Sequence, residues 1–181
     1  MAFYPYMNGE GQRIGSTINV EDYFDNNGSL IIDRVIENYK KYALRRKFRY
    51  FREKNKNGKY ITLKEATLVY SFETYLTAFL SMVDGRTYIE AQTGIGRTDL
   101  IIYVNQQEFV VEAKVYSDIV KFKRGKKQLA QYAQSLSLPT AIYLVFVESG
   151  ITNPNITDAP EIIDGIFIKT HLVPYNIDKD F

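Results

Sequence analysis

The chain has 181 residues, 45% of them hydrophobic and 14% aromatic, with a formal net charge of +2. That composition fits a globular fold with a sizeable core rather than a disordered segment. No cysteine is present, which excludes a disulfide framework, a zinc ribbon and a thiol nucleophile, and a single histidine, His171, argues against a His-based metal site or catalytic triad.

The N-terminus MAFYPYMNGEGQ has neither a basic n-region nor an apolar h-region. No apolar run reaches the ~18 residues of a membrane span, so the expectation is a cytoplasmic protein with no membrane partner. Residues 1–28 are Gly/Asn-rich and read as loosely organised. Ser29 is expected to cap a helix running to about Glu53, with Ile32, Val35, Ile36, Tyr39 and Ala43 at helical spacing. Its second half is strongly basic: residues 40–59 hold ten Lys or Arg against the single Glu53. Five more fall in KFKRGKK at 121–127, while the rest of the chain has eight basic against twenty acidic side chains. Basic clusters in an acidic background suit a polyanion-binding surface, with a solvated helix face as the bland alternative.

Asn55–Lys59 breaks this helix, and Thr62 with Glu65 forms a capping box for a second one that stops at Asp84-Gly85. Strands are expected near Thr87–Gln92, Thr98–Val104 and Glu108–Val115, then a helix near Gly125–Leu136. The β-branched run at Thr140–Val147 and a single strand over Ile162–Val173 complete the chain. The order α-β-β-β-α-β predicts an α/β domain on a small mixed sheet. We read one domain over 1–181, with a basic helical extension at 1–60 and an α/β core at 62–173.

Within TGIGRTDLIIYVNQQEFVVEAKV (93–115), Asp99, Glu112 and Lys114 stand on strands that should be apolar. Alternation puts Glu112 and Lys114 on one face and Phe109, Val111, Ala113 and Val115 on the other. A two-residue turn at Asn105-Gln106 sets Asp99 opposite Glu112, and one at Gln106-Gln107 sets it opposite Lys114. Either register gathers the three charges on one face; a three-residue turn without a bulge would point Asp99 away. On the preceding helix Glu73 lies on or beside the apolar stripe of Val69, Phe72, Leu76 and Leu80, where a carboxylate needs a partner. Gln128 and Tyr132, one turn apart on the later helix, are further polar candidates. Two carboxylates and a carbonyl make an oxygen-rich pocket for Mg²⁺, and a nearby Lys can orient water and offset phosphoryl charge. Gly94-Ile-Gly96 is no dinucleotide loop, since the third glycine is missing, and no P-loop run exists.

Gly96-Arg97-Thr98-Asp99, Glu112-Ala113-Lys114 and Gln128-Leu-Ala-Gln-Tyr132 together resemble the PD-(D/E)XK nuclease superfamily, the last element being similar to its RecB-like QxxxY branch. The likeness also extends to nuclease-like domains attached to AAA-type ATPases. It covers about residues 70–147, and it departs from the pattern in lacking the proline, since Thr98 precedes Asp99. The resemblance implies a restriction-endonuclease-like fold and Mg²⁺-dependent cleavage of nucleic acid, DNA first, with Mn²⁺ as a substitute. By position, Asp99, Glu112 and the carbonyl of Ala113 would bind metal, and Lys114 would orient and activate water. Glu73 would be the helix carboxylate acting on metal or its waters, and Gln128 and Tyr132 would support the site. The basic residues expected to meet nucleic acid are Lys41, Arg45, Arg46, Arg49, Arg52, Arg97, Lys123 and Arg124. A homodimer or an ATPase/helicase partner is the expected assembly. The competing reading is a non-catalytic nucleic-acid-binding or assembly module that keeps the fold; carbohydrate hydrolysis would leave the Lys and the basic helix unexplained.

Overall fold

The computed structural model describes residues 20–46, 48, 53–59, 63–93, 96–149 and 156–176. A short 3₁₀ turn at Val20–Tyr23 leads to α1 (Ile32–Arg45) and α2 (Glu65–Leu80). Three strands follow, β1 (Arg86–Thr93), β2 (Gly96–Val104) and β3 (Gln107–Val115). After α3 (Ile119–Ser135) come β4 (Thr140–Glu148), β5 (Glu161–Ile163) and β6 (Ile166–Tyr175). The six strands form one mixed sheet in the order β1-β2-β3-β4-β6-β5. The β1-β2-β3 meander and the β5-β6 hairpin are antiparallel, whereas β3, β4 and β6 run parallel. The α-β-β-β-α-β core expected from the sequence is therefore present, with α1 preceding it. No helix among the described residues is long and apolar enough to cross a membrane.

The sheet separates two apolar clusters. On one face the expected α1 stripe of Ile32, Val35, Ile36, Tyr39 and Ala43 packs with Leu68, Phe72 and Leu76 of α2 onto Leu100, Ile102, Val111 and Phe146. On the other, Phe122, Leu129 and Ala133 of α3 cover Val110, Tyr143, Val145 and Ile168. Burying both faces of the parallel strands is what makes β4 read as a nearly continuous apolar run.

Four boundaries differ from the sequence expectation. Helix α1 ends at Arg45, with Arg46 extended (ψ 132°), well short of Glu53. After Ala43 the next two positions of its stripe are Arg46 and Lys47, so a longer helix would have no apolar side to bury. Ser29 is not its cap: the helix starts after Ile31 with no side-chain cap, and Ser29 N–H instead donates to Asp25 Oδ1 at 2.8 Å in a side-chain-held turn. Helix α3 begins six residues before Gly125, at Ile119, because Asp118 caps it by accepting from Lys121 N–H at 2.8 Å. The last strand is a hairpin, broken by Asp164 (φ 51°) and Gly165 (φ 81°) between Ile163 and Ile166, a pair of left-handed residues suited to a tight turn. Thr62 of the expected capping box lies outside the described residues, and α2 starts at Glu65 without a side-chain cap.

Candidate active site

The β2–β3 turn fixes the face of every charge near it. Val104 pairs with Gln107, so Asn105 and Gln106 alone make the turn, at φ 48° and 62°. Two successive left-handed residues match the right-handed twist of a two-residue hairpin. The ladder then runs to Leu100↔Val111, and the next step sets Asp99 level with Glu112. Leu100, Ile102 and Val104 enter the α1/α2 core, which turns Asp99 to the opposite face with Glu112 and Lys114. Of the two registers considered from the sequence, the one with its turn at Asn105-Gln106 is adopted.

Beyond Leu100 the two strands part, and side chains take over their hydrogen bonds. Thr98 Oγ1 donates to Val111 O at 3.1 Å, and Ala113 N–H donates to Asp99 Oδ2 at 2.8 Å. One step further, Val115 N–H donates to Glu65 Oε2 at 3.2 Å. A wedge opens between β2 and β3, and the first turn of α2 closes its end. Lys114 fills it: its Nζ lies 2.9 Å from Glu112 Oε1, 3.1 Å from Glu65 Oε1 and 3.5 Å from Asp99 Oδ2. Glu112 is the floor, its side chain 3% exposed, while Asp99, Lys114 and Glu65 are 27%, 31% and 39% exposed.

Three formal negative charges thus face one positive charge. Burial, followed by the nearby Asp99, pushes the Glu112 carboxyl up to about 7 even though Lys114 opposes the shift. Burial also raises Asp99, against the pull of Lys114 and the Ala113 N–H. For Lys114 burial works downward, but Glu112 and Asp99 outweigh it and hold the ammonium above its ordinary value. Lys114 is therefore a cation here, a donor rather than a base.

Does this arrangement suit a hard divalent cation? Among the described residues no group of three His, Cys, Asp or Glu side chains is already disposed around one point as a metal cage. Yet Glu112 Oε2 is fully buried and accepts no hydrogen bond. A buried carboxylate oxygen without a donor leaves a ligand unused. Together with the oxygen-only donor set of Asp99, Glu112 and Glu65, it fits Mg²⁺ or Mn²⁺ rather than a soft metal.

The other expected site residues divide. Ala113 sits in the wedge through its N–H, with its methyl group in the α1/α2 core. Glu73 is not brought to the cluster: it lies eight residues along α2 from Glu65, about 12 Å along the axis. There it accepts from Thr77 Oγ1 at 2.7 Å and Thr87 Oγ1 at 2.8 Å. The partner its position demanded is a pair of hydroxyls. The helix carboxylate at the site is Glu65, which the sequence presents only as a capping residue. Its signal is three-dimensional, namely the start of α2 beside the end of β3. Gln128 Nε2 donates to Tyr132 OH at 2.5 Å. The Tyr132 ring lies against Gly96, where an added Cβ would come within 3.3 Å of it. The QxxxY pair so braces the strand that carries Asp99 and is not bonded to the charges.

Of the basic residues, Lys41 and Arg45 are exposed on α1 and Arg46 just after it, Lys123 and Arg124 on α3, and Arg97 on β2. Arg97 meets the exposed Glu90 at 3.3 Å, and Arg46 lies 5.4 Å from the Tyr42 ring centroid. Arg49 and Arg52 lie outside the described residues. The 121–127 run is not uniformly a solvent face, because Lys126 is buried against the Phe122 ring and paired with Glu161.

The chain is similar to a solved structure of SfsA from Pyrococcus furiosus in complex with Ca²⁺, at 18% identity and a TM-score of 0.35. That likeness covers 63% of this chain and 49% of the other, so the chain spans about half of that protein's length. No curated protein matches it. Residues 30–150, which carry α1 through β4 and with them Glu65, Asp99, Glu112 and Lys114, match the family described as "Domain of unknown function (DUF8371)", and the chain belongs to that family.

Proposed function

We propose that the protein is a divalent-metal-dependent phosphodiesterase acting on nucleic acid, DNA first, through a site of the PD-(D/E)XK type. The observation that carries this reading is the convergence of Asp99, Glu112 and Glu65 on one lysine in a wedge between strands, with a buried carboxylate oxygen left over. A structural ion pair needs one acid for one base; three acids, one of them buried and raised in pKa, exceed that need.

Asp99 and Glu112 would hold Mg²⁺ or Mn²⁺, with Glu65 acting on the metal or its bound waters. When bound, the metal would polarise a phosphoryl oxygen and lower the pKa of a water. The protein's own parts divide the remaining work. Asp99 is fixed by the Ala113 N–H, so its free oxygen has a set direction. Lys114, held as an ammonium by its carboxylates, can donate to a water or to a phosphoryl oxygen on which charge builds. The Glu112 carboxyl, raised to about 7 by burial even with Lys114 beside it, would be favoured in its charged form by a bound cation. The exposed Lys123 and Arg124 of α3, the helix on the face of the sheet that holds the charge cluster, offer the backbone a phosphate track, whereas the cations of α1 lie across the sheet.

The test is cleavage of supercoiled plasmid, linear duplex and single strand with Mg²⁺, Mn²⁺ or EDTA, comparing wild type with Lys114→Ala. EDTA-sensitive cleavage that falls by 10²-fold or more in the variant is the expected result. No metal-dependent cleavage on any substrate would reject the reading in favour of a non-catalytic nucleic-acid-binding module.

A further inference from the structure

The face of β2 that carries Asp99 does not end at the charge cluster. Along the same strand and face follow Ile101 and Tyr103, one and two pleats on, roughly 7 and 14 Å from Asp99 at strand rise. On the neighbouring edge strand, Tyr88 pairs with Ile101 and Arg86 with Tyr103. Helix α3 packs chiefly across β3 and β4 and meets β2 through Tyr132 at Gly96, the end of the strand away from Tyr103. Tyr88 is left 49% exposed, and the Arg86 guanidinium lies 5.4 Å from the Tyr103 ring centroid. Arg86, Tyr88, Ile101, Tyr103 and Glu108 line an open depression of about 310 Å³.

We infer that this depression is a stacking platform for unpaired nucleotide bases, which places single-stranded or locally opened nucleic acid at the Asp99–Glu112–Lys114 site. The inference rests on the phosphodiesterase reading and deepens it. Bases stack on Tyr faces and on guanidinium planes without regard to sequence, and both surfaces are present. Glu108, exposed on β3, would repel a phosphate and can accept from a base N–H, so the base rather than the backbone belongs over it. The phosphate then continues along β2 towards Asp99. A second copy of the chain fits less well: two rings and Ile101, only 8% exposed, offer far less apolar area than the roughly 800 Å² per partner of a stable interface.

The chain contains no tryptophan, so Tyr88→Trp supplies a single reporter at the platform. The full chain in EDTA is titrated with a thymidine oligonucleotide and with a duplex of equal length. Tyr88→Trp fluorescence should be quenched by the single strand and not by the duplex. Tyr88→Ala should weaken single-strand binding roughly 5- to 150-fold and change duplex binding less than about two-fold. Equal losses on both substrates, or no quenching, would overturn the platform, as would a dimer in sedimentation that Tyr88→Ala dissolves. Because these titrations contain no metal, they are read apart from cleavage. Metal-dependent cutting without quenching rejects the platform alone, and selective quenching without cutting on any substrate supports it while rejecting the phosphodiesterase.

Discussion

Two glutamates on α2 illustrate how little a residue's chemistry says without its place. Glu65 reaches Lys114 Nζ and the Val115 N–H, whereas Glu73 spends both its hydrogen bonds on Thr77 and Thr87. Their amide variants should therefore separate. Glu65→Gln keeps an acceptor for Val115 but removes a charge from the wedge, and metal-dependent cleavage should fall at least about ten-fold with little change in stability. Glu73→Gln should leave cleavage within about two-fold and cost about 1 kcal/mol of stability, as expected for weakened charged hydrogen bonds. Cleavage assays and urea denaturation of both variants check this, and equal catalytic losses would show that Glu65 has no special role. From the sequence, helical spacing marked Glu73 as needing a partner, which was right. It could not say that the partner is a pair of hydroxyls rather than the site, because the choice depends on where β1 crosses α2.

At the scale of elements, helix α3 shows how a glycine misleads a reading by propensity. Gly125 read as a helix start, yet it sits in the middle of the helix. A Cβ there would meet Tyr143 OH at 2.1 Å, with the ring itself buried on β4. Gly125→Ala would gain up to ~1 kcal/mol of helix propensity but force α3 off the sheet. Overpacking of this kind costs about 1–3 kcal/mol, so net destabilisation is expected in urea denaturation. Tyr143 OH is buried with no hydrogen-bond partner among the described residues. Tyr143→Phe should accordingly be neutral or stabilising by up to about 1 kcal/mol. It should rescue Gly125→Ala only in part, because Cζ would still lie 2.8 Å from the new Cβ. Full rescue would mean that the hydroxyl alone sets the spacing of α3. The shared face of Asp99, Glu112 and Lys114, in contrast, was legible, since alternation and a two-residue turn in either register need no knowledge of anything outside 99–114, whereas the register itself was left open between two turns.

At the scale of the molecule, Asp33 ties the first helix to the last strand. It meets Lys169 Nζ at 2.6 Å and His171 Nε2 at 3.1 Å, across 136 and 138 positions of sequence. The His171 hydrogen bond above all, then Lys169, outweigh burial and hold the Asp33 carboxyl at about 2. A depressed carboxylate contributes stability that is present above its unfolded value near 4 and is lost as pH falls towards 2. Since Asp33 is 41% exposed, the full shift overstates the effect, and about 1 kcal/mol is a fair size after screening. Asp33→Asn should lower stability at pH 6 and show a flatter decline between pH 4 and 2, as read by thermal melts. Identical pH profiles would mean the contact contributes nothing. From the sequence His171 stood out only as the lone histidine, and no local pattern could link it to Asp33, because such pairs exist only once the chain has closed on itself.

The Asn105-Gln106 turn also acts on states the protein must not occupy. A slip of β2 by one residue against β3 would exchange Leu100, Ile102 and Val104 for Asp99, Ile101 and Tyr103 on the α1/α2 face. Asp99 would then enter an apolar core without Lys114, a cost of several kcal/mol for an unpaired carboxylate. The charged side chains that assemble the site thus also proofread the strand pairing during folding. Chains that have lost them, however stable their native form, would have less to tell the right alignment from its neighbour.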